Sequence, residues 1–236
     1  MLSVIIPVFN EEGNIGSLIN KLNRFIKTTD EIIIIDDASN DQTYEIIKDL
    51  DCKVIKHEKN YGKGQSIIDG IKVAKGDLIL FMDGDGQDDP SEISKLTKKI
   101  EEGYDLAIGS RFVEDENKKI TRYTSTALSN INWYGNKALT FMLNFLFKLN
   151  IKDTQAGYKC FKSSSLKSLK LESKRYEVET EMIIKSKKFD LKICEVPVHR
   201  YAREYGKSKL FDIPFGRMIF MFKVLKVILY GYIKWR

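Results

Sequence analysis

Two apolar runs of this 236-residue chain end in carboxylates. Ile32-Ile33-Ile34-Ile35 leads into Asp36-Asp37, and Leu78-Ile79-Leu80-Phe81-Met82 leads into Asp83-Gly84-Asp85-Gly86-Gln87-Asp88-Asp89-Pro90. Hard oxygen donors on such a turn suit Mg²⁺ or Mn²⁺ bridging phosphates. Taken alone, the Asp-Gly-Asp segment also suits a solvated turn, because Asp and Gly are ordinary turn residues. Asp88 and Asp89, just before Pro90, read as solvated helix-start residues. Basic residues dominate after Lys159, among them Arg200, Arg203 and Lys209 around Gly206 and Ser208, while Arg111 and Arg122 flank the polar run 114–119.

The elements that must position these groups follow from periodicity. Residues 2–9, 31–36, 53–57, 78–82 and 105–110 are short β-branched runs, as strands buried on both faces require. Residues 14–26, 41–50 and 64–74 carry apolar side chains at three- and four-residue spacing and read as helices, and Pro90-Ser91 opens a fourth. Ser39 and Asp41 are the expected caps of the second. This alternation predicts a Rossmann-like, doubly wound α/β fold with a mostly parallel sheet, in which ligands bind beyond the carboxyl ends of the strands. The acidic residues stand at two such ends. Farther on, 124–149 and 177–188 read as helices and 157–161 and 192–198 as strands.

With 39 Lys+Arg against 33 Asp+Glu, the net charge is +6 and the pI about 9.0, which favours anionic partners. A nucleic-acid-binding module would explain that balance but not acids at two strand ends, so no nucleic-acid partner is expected. Cys52, Cys160 and Cys194 are too few and too scattered for a disulfide framework or a zinc site. Met1 to Pro7 lacks a basic leader, and its apolar run is short for a signal peptide. The catalytic part is therefore expected on the cytoplasmic face of a membrane.

Further runs occur in a fixed order: Val4-Ile5-Ile6-Pro7-Val8-Phe9-Asn10-Glu11-Glu12, Ile35-Asp36-Asp37-Ala38-Ser39-Asn40-Asp41, Asn60-Tyr61-Gly62-Lys63-Gly64, and Asp83-x-Asp85-x-Gln87-x-x-Pro90. After them come Gly109-Ser110-Arg111, Asp153-Thr154-Gln155-Ala156-Gly157-Tyr158, Glu195-Val196-Pro197-Val198 and Arg203-x-x-Gly206-x-Ser208-Lys209. Together they resemble the family 2 glycosyltransferases of GT-A fold, in the dolichyl-phosphate mannosyltransferase and polyprenyl-phosphate glycosyltransferase branch, over nearly the whole chain. The resemblance implies metal-dependent, inverting transfer of one hexose from a nucleotide-sugar of the GDP-mannose or UDP-glucose type to polyprenyl or dolichyl phosphate, with Mg²⁺ or Mn²⁺ as cofactor. The processive-synthase motif Gln-x-x-Arg-Trp is absent, which favours a single transfer. A glycan or other hydroxyl acceptor in cell-surface polysaccharide synthesis is the alternative. A sugar-phosphate nucleotidyltransferase would carry a Gly-rich basic loop after the first strand, where this chain has Pro7 to Glu12.

By the same resemblance, the nucleotide-sugar pocket comprises Pro7, Asn10, Glu11, Asp37, Lys63, Asp83, Gly84 and Asp85. The metal set is Asp83, Asp85 and Gln87, with Asp85 and Gln87 as direct ligands and Asp83 nearer the ribose and sugar. Arg111 and Arg122 are expected at the acceptor phosphate. Arg203, Ser208 and Lys209 belong to a mobile loop closing over both phosphate groups, and with Asp85 these complete the catalytic set. A phosphate acceptor is already an anion and needs no general base. For an alcohol acceptor, Asp153 or one of Glu177, Glu179 and Glu181 would serve. His57 and His199 read as structural.

Residues 1–210 form the expected catalytic domain, split near 112 into nucleotide-sugar and acceptor parts, and 211–236 an amphipathic helix. Lys223, Lys226, Tyr230 and Lys234 share one helical face, and the uninterrupted apolar length falls short of the roughly 20 residues that span a bilayer. An interfacial helix facing anionic lipid is expected. Packing on the catalytic domain and docking to a separate membrane subunit are the alternatives. The run Phe141 to Phe147 either guides a lipid chain or joins the core.

Overall fold

Seven strands form one sheet: β1 (Leu2–Val8), β2 (Glu31–Asp36), β3 (Lys53–Lys56), β4 (Leu78–Phe81), β5 (Leu106–Ser110), β6 (Lys159–Lys162) and β7 (Ile193–Pro197). The computed structural model describes residues 1–112, 130–206 and 216–234. The strand order is β3-β2-β1-β4-β6-β5-β7. All neighbours are parallel except β6, which runs antiparallel to β4 and β5. The mostly parallel sheet is as expected. The reversal of β6 is not visible in the sequence, and it matters for the site. Lys159 pairs with Phe81, so the start of β6 and the end of β4 lie at the same sheet edge.

Helices α1 (Ile15–Leu22), α2 (Thr43–Ile47) and α4 (Ile93–Glu101) cover one face, burying Ile15, Ile47 and Leu96 against Val4, Ile6 and Ile34. On the other face α3 (Lys63–Val73), α6 (Ser163–Ser168) and α7 (Val178–Lys188) bring Ile67, Leu166 and Met182 onto Ile5, Ile33 and Phe81. The period-two alternation of β1, with Ile5 opposite Val4 and Ile6, divides these two cores. Helix α6 was not anticipated; it is short and Ser-rich, so it lacks a periodic apolar signal. α5 (Asn130–Phe147) and α8 (Gly216–Lys234) meet through Leu139, Leu143, Val224 and Ile228, with Ile184 of α7 beneath them. The C-terminal helix α8 is therefore joined to α5 and α7 by a small core of its own.

Asp41 Oδ1 accepts the Thr43 N–H at 2.9 Å in the first turn of α2, as expected, whereas Ser39 Oγ accepts from Asn10 N instead. Asp89 Oδ1 caps the 3₁₀ turn Pro90–Glu92 through Ser91 N at 3.0 Å. All three cysteines are free thiols.

Candidate active site

The acidic turn after β4 lies under a strap, residues 198–206, that follows β7. The two segments are stitched together: Tyr201 N donates to Gln87 O at 2.8 Å, Gln87 Nε2 donates to Tyr201 O at 3.0 Å, and Asp88 and Arg200 form an antiparallel bridge. Gly84 lets the turn sit against β1, since a Cβ there would come 2.6 Å from Val8 Cγ1.

Arg200 enters the centre of the acids. Its Nη2 lies 3.4 Å from Asp83 Oδ2, 3.3 Å from Gln87 Oε1 and 3.8 Å from Asp85 Oδ2, and its Nη1 lies 3.2 Å from Asp88 Oδ1. Arg203 bridges Asp85 Oδ2 at 2.7 Å and Glu11 Oε1 at 2.9 Å. Glu11, expected at the base and ribose, is thus tied to the strap, and Asn14 donates to its other oxygen at 2.7 Å. Burial raises the Glu11 carboxyl despite Arg203.

The expectation that Asp88 is solvated is corrected: it is 2% exposed. Burial, reinforced by Asp83 and Asp85, outweighs Arg200 and pushes its pKa up to about 6. Asp89, by contrast, caps its turn and receives the Tyr201 hydroxyl at 3.1 Å.

The three expected metal ligands, Asp83, Asp85 and Gln87, converge on one point, the position of Arg200 Nη2. Their oxygens suit a hard divalent cation. Among the described residues no three His, Cys, Asp or Glu side chains are arranged to hold a metal as they stand. A guanidinium group fills the place instead. The residues fit Mg²⁺ or Mn²⁺ in kind, as oxygen donors standing 3.3–3.8 Å around one position.

Lys63 reaches this cluster from the first turn of α3. Its Nζ lies 2.6 Å from Asp83 Oδ1 and 2.9 Å from Glu179 Oε1, and Lys159 pairs with the other oxygen of Glu179. Burial would raise Asp83, but Lys63 and Arg200 prevail and hold its carboxyl well below the usual range. Gly62 and Gly64 make this delivery feasible. Gly62 has φ +101°, and a Cβ at Gly64 would lie 2.1 Å from Ser173 O, so residues 173–175 can cross the start of α3 only over glycine. Gly157 has the same role at the start of β6, where a Cβ would come 2.9 Å from Asp83 Oδ2 and 3.0 Å from Lys63 Nζ.

Three of the four carboxylates considered as bases are neutralised by cations. Glu179 is held by Lys159 and Lys63, which outweigh its burial and lower its pKa. Glu181 binds Lys185 at 2.6 Å and accepts from Ser173 N at 2.7 Å. Asp153 takes a fork from Arg111, Nε at 2.7 Å and Nη2 at 2.8 Å. Among the described residues Glu177 Oε2 and Glu179 Oε1 are both buried without a hydrogen-bond partner, but Glu179 Oε1 faces Lys63 Nζ at 2.9 Å. Burial opposes ionisation of Asp153, but Arg111 prevails and lowers its pKa. Such a carboxyl contributes stability above its unfolded pKa of about 3.9, and that stability is lost as the pH falls through the lower folded value. In urea unfolding between pH 5 and pH 2, the wild type is therefore expected to lose more stability than Asp153→Asn. Equal losses would show that the fork is not a source of acid sensitivity.

On the nucleotide side, Pro7 pairs with Ile35 inside the sheet. Asn10 adopts φ 55° and its side chain accepts from Asn40 N at 2.9 Å. Asp37 is 3% exposed and accepts from Tyr61 N, Gly62 N and His57 Nδ1, each at 2.8 Å. A carboxylate offers about four such positions, so a base would find about one. His57 is held between two carboxylates, with Nδ1 on Asp37 and Nε2 3.4 Å from Asp69. Arg122, Ser208 and Lys209 lie outside the described residues. Arg111 and Arg203 are both near the sheet edge, but Arg111 is bound to Asp153 whereas Arg203 lies within the acid cluster. Sequence reasoning missed Arg200, visible only as a basic neighbour of the loop, and Asp88 with it. Pairing of β7 with β5 brings them together, and no local signal reports it.

A sequence profile described as glycosyl transferase family 2 matches residues 3–170. The chain is 32% identical to the UDP-N-acetylglucosamine–dolichyl-phosphate N-acetylglucosaminyltransferase of Methanococcus voltae, over 97% of this chain and 98% of that one. It is 32% identical to the dolichol-phosphate mannosyltransferase of Pyrococcus furiosus, over 89% of this chain and 59% of that one. Among solved structures, glucosyl-3-phosphoglycerate synthase from Mycobacterium tuberculosis, in complex with Mn²⁺, uridine diphosphate and phosphoglyceric acid, matches with a TM-score of 0.72. That match has 21% identity and covers 98% of this chain and 78% of that one. The fold is thus similar to GT-A glycosyltransferase structures, and the chain belongs to glycosyl transferase family 2.

Proposed function

We propose that this enzyme transfers a single sugar from a nucleotide-sugar to a polyprenyl or dolichyl phosphate at a membrane surface. The observation that carries the acceptor class is the pairing of Asp153 with Arg111 and of Glu179 with Lys63 and Lys159, which lowers both carboxyls. Carboxylates stabilised as anions are weak bases, whereas a phosphate acceptor arrives ionised. Its oxygen attacks the anomeric carbon, the carbon–oxygen bond to the nucleoside diphosphate breaks, and no proton need move. A divalent cation at Asp83, Asp85 and Gln87 would neutralise charge on the leaving diphosphate. Lys63 holds Asp83 in place, and Arg200 and Arg203 offer guanidinium groups to the phosphates. The strap excludes water that would otherwise hydrolyse the donor. Relatives named for polyprenyl-phosphate acceptors support this acceptor class. The donor is taken as the GDP-mannose or UDP-glucose type, with UDP-N-acetylglucosamine the further candidate.

To test it, the enzyme is mixed with vesicles containing polyprenyl phosphate, Mg²⁺ or Mn²⁺, and a panel of labelled nucleotide-sugars. Organic-extractable, acid-labile label is expected. Label appearing only in a glycan or protein acceptor would sink the lipid-phosphate assignment.

Membrane docking is proposed to use both α5 and α8. Tyr134, Phe141 and Phe145 lie along one stripe of α5, and Phe222, Leu229 and Ile233 stand out from α8. Neither helix contains an acidic residue, while Lys137, Lys223, Lys226 and Lys234 supply positive charge. No helix among the described residues is long and apolar enough to cross a membrane. Phe141 is 73% and Phe145 75% exposed, so Phe141→Ser with Phe145→Ser should leave folding stability intact. Binding to anionic vesicles should fall by about tenfold or more, since burying a Phe side chain contributes about 1.5–3 kcal/mol. Unchanged vesicle sedimentation would place the docking face elsewhere.

A further inference from the structure

Arg200 occupies the point where the three expected metal ligands converge, and it is held there by its strap. The strap's backbone is paired to residues 87 and 88, and Arg203 pins it again through Asp85 and Glu11. The beginning of the strap is fixed by β7. A cleft of about 140 Å³ remains beside the acids, lined by Asn14, Lys21, Asp85, Asp88, Pro90 and Tyr201. Small-ligand sites usually enclose roughly 300–1,000 Å³, so this cleft is small beside the space that such a ligand occupies.

Lys63 and Arg203 pair with Asp83 and Asp85, but without Arg200 the buried Asp88 would stand beside both as an undercompensated like charge, a costly arrangement. We propose that Arg200 is a resident counter-cation that satisfies these oxygens until a divalent metal takes its place. Metal and guanidinium then exclude one another, because the same three oxygens cannot close on a cation of small radius while Nη2 stands among them. Displacement frees Arg200, on its strap, to pair with the phosphates that arrive with the metal. Arg200 is a positioning residue for the metal site: it keeps the acids together and sets the free-energy cost of loading. The proposal rests on the metal assignment above.

The test is Mn²⁺ binding to the intact chain without nucleotide, read from the free-ion electron paramagnetic resonance signal, alongside thermal unfolding. Arg200→Gln is expected to bind Mn²⁺ at least about tenfold more tightly than the wild type, since one contacting charge at a protein surface is worth more than that factor. Arg200→Lys, which keeps a positive charge but lacks the forked reach, should fall between. A variant that merely failed to fold would lose binding, so the expected gain separates the proposal from simple damage. Equal or weaker binding by both variants, with Mn²⁺ binding still abolished by Asp85→Asn, would overturn the counter-cation and leave the metal site standing. Mn²⁺ binding insensitive to Asp85→Asn would overturn both.

Discussion

Asp85→Asn is expected to lower the rate of sugar transfer by about 10³-fold, the scale of losing several kcal/mol of charge stabilisation at the leaving diphosphate. The substitution keeps the shape of the side chain and can keep the turn, because Asp85 Oδ1 accepts from Gln87 N at 3.1 Å and an amide oxygen accepts as well. It removes the charge that faces Arg203. Arg203 retains Glu11, so the melting temperature should change little. The measurement is lipid-linked product formed over time, with donor binding measured separately in the presence and absence of Mn²⁺. Metal-dependent donor binding should vanish while metal-independent binding persists. Transfer at the wild-type rate would refute the placement of the metal at this turn.

Lys63→Met should be the most destabilising single change at the site. The ammonium group lies between two carboxylates, Asp83 and Glu179, at 2.6 and 2.9 Å, with its side chain 14% exposed. Removing one member of a buried ion cluster leaves the others undercompensated, at a cost of about 3–5 kcal/mol. The lower end is expected here, because Arg200 still faces Asp83 and Lys159 still faces Glu179. Urea unfolding would read this as a lower midpoint at unchanged slope. The double variant Lys63→Met with Glu179→Gln should recover part of the loss, since one surplus charge is gone. A single-variant loss under about 1 kcal/mol, or no recovery in the double, would show that water already satisfies these carboxylates.

The two halves of the site differ in how far local sequence reveals them. A buried apolar strand ending in an oxygen-rich turn marks Asp83, Asp85 and Gln87, the family resemblance names them as a metal set, and in the structure all three lie 3.3–3.8 Å from Arg200 Nη2. Lys63 sits in the Asn60 to Gly64 run, but its contact with Asp83 needs the crossing of residues 173–175 over Gly62 and Gly64. Asp88 looked solvated because its neighbours in sequence are polar; its burial comes from Arg200, over a hundred residues away. The candidate bases Glu179 and Glu181 look alike in sequence, yet each faces a different lysine.

The amino-acid sequence by itself determines the strands, most of the helices, the mostly parallel sheet and the placing of acids at its edge. These depend on periodicity and on turn residues, both local properties of the chain. Tertiary structure alone decides that β6 runs backwards, that the strap after β7 returns across the acidic turn, and that Arg200 ends among its oxygens. Those outcomes depend on which strands pair and on how buried charges are compensated, and such long-range free energies leave no periodic trace in the residues that meet.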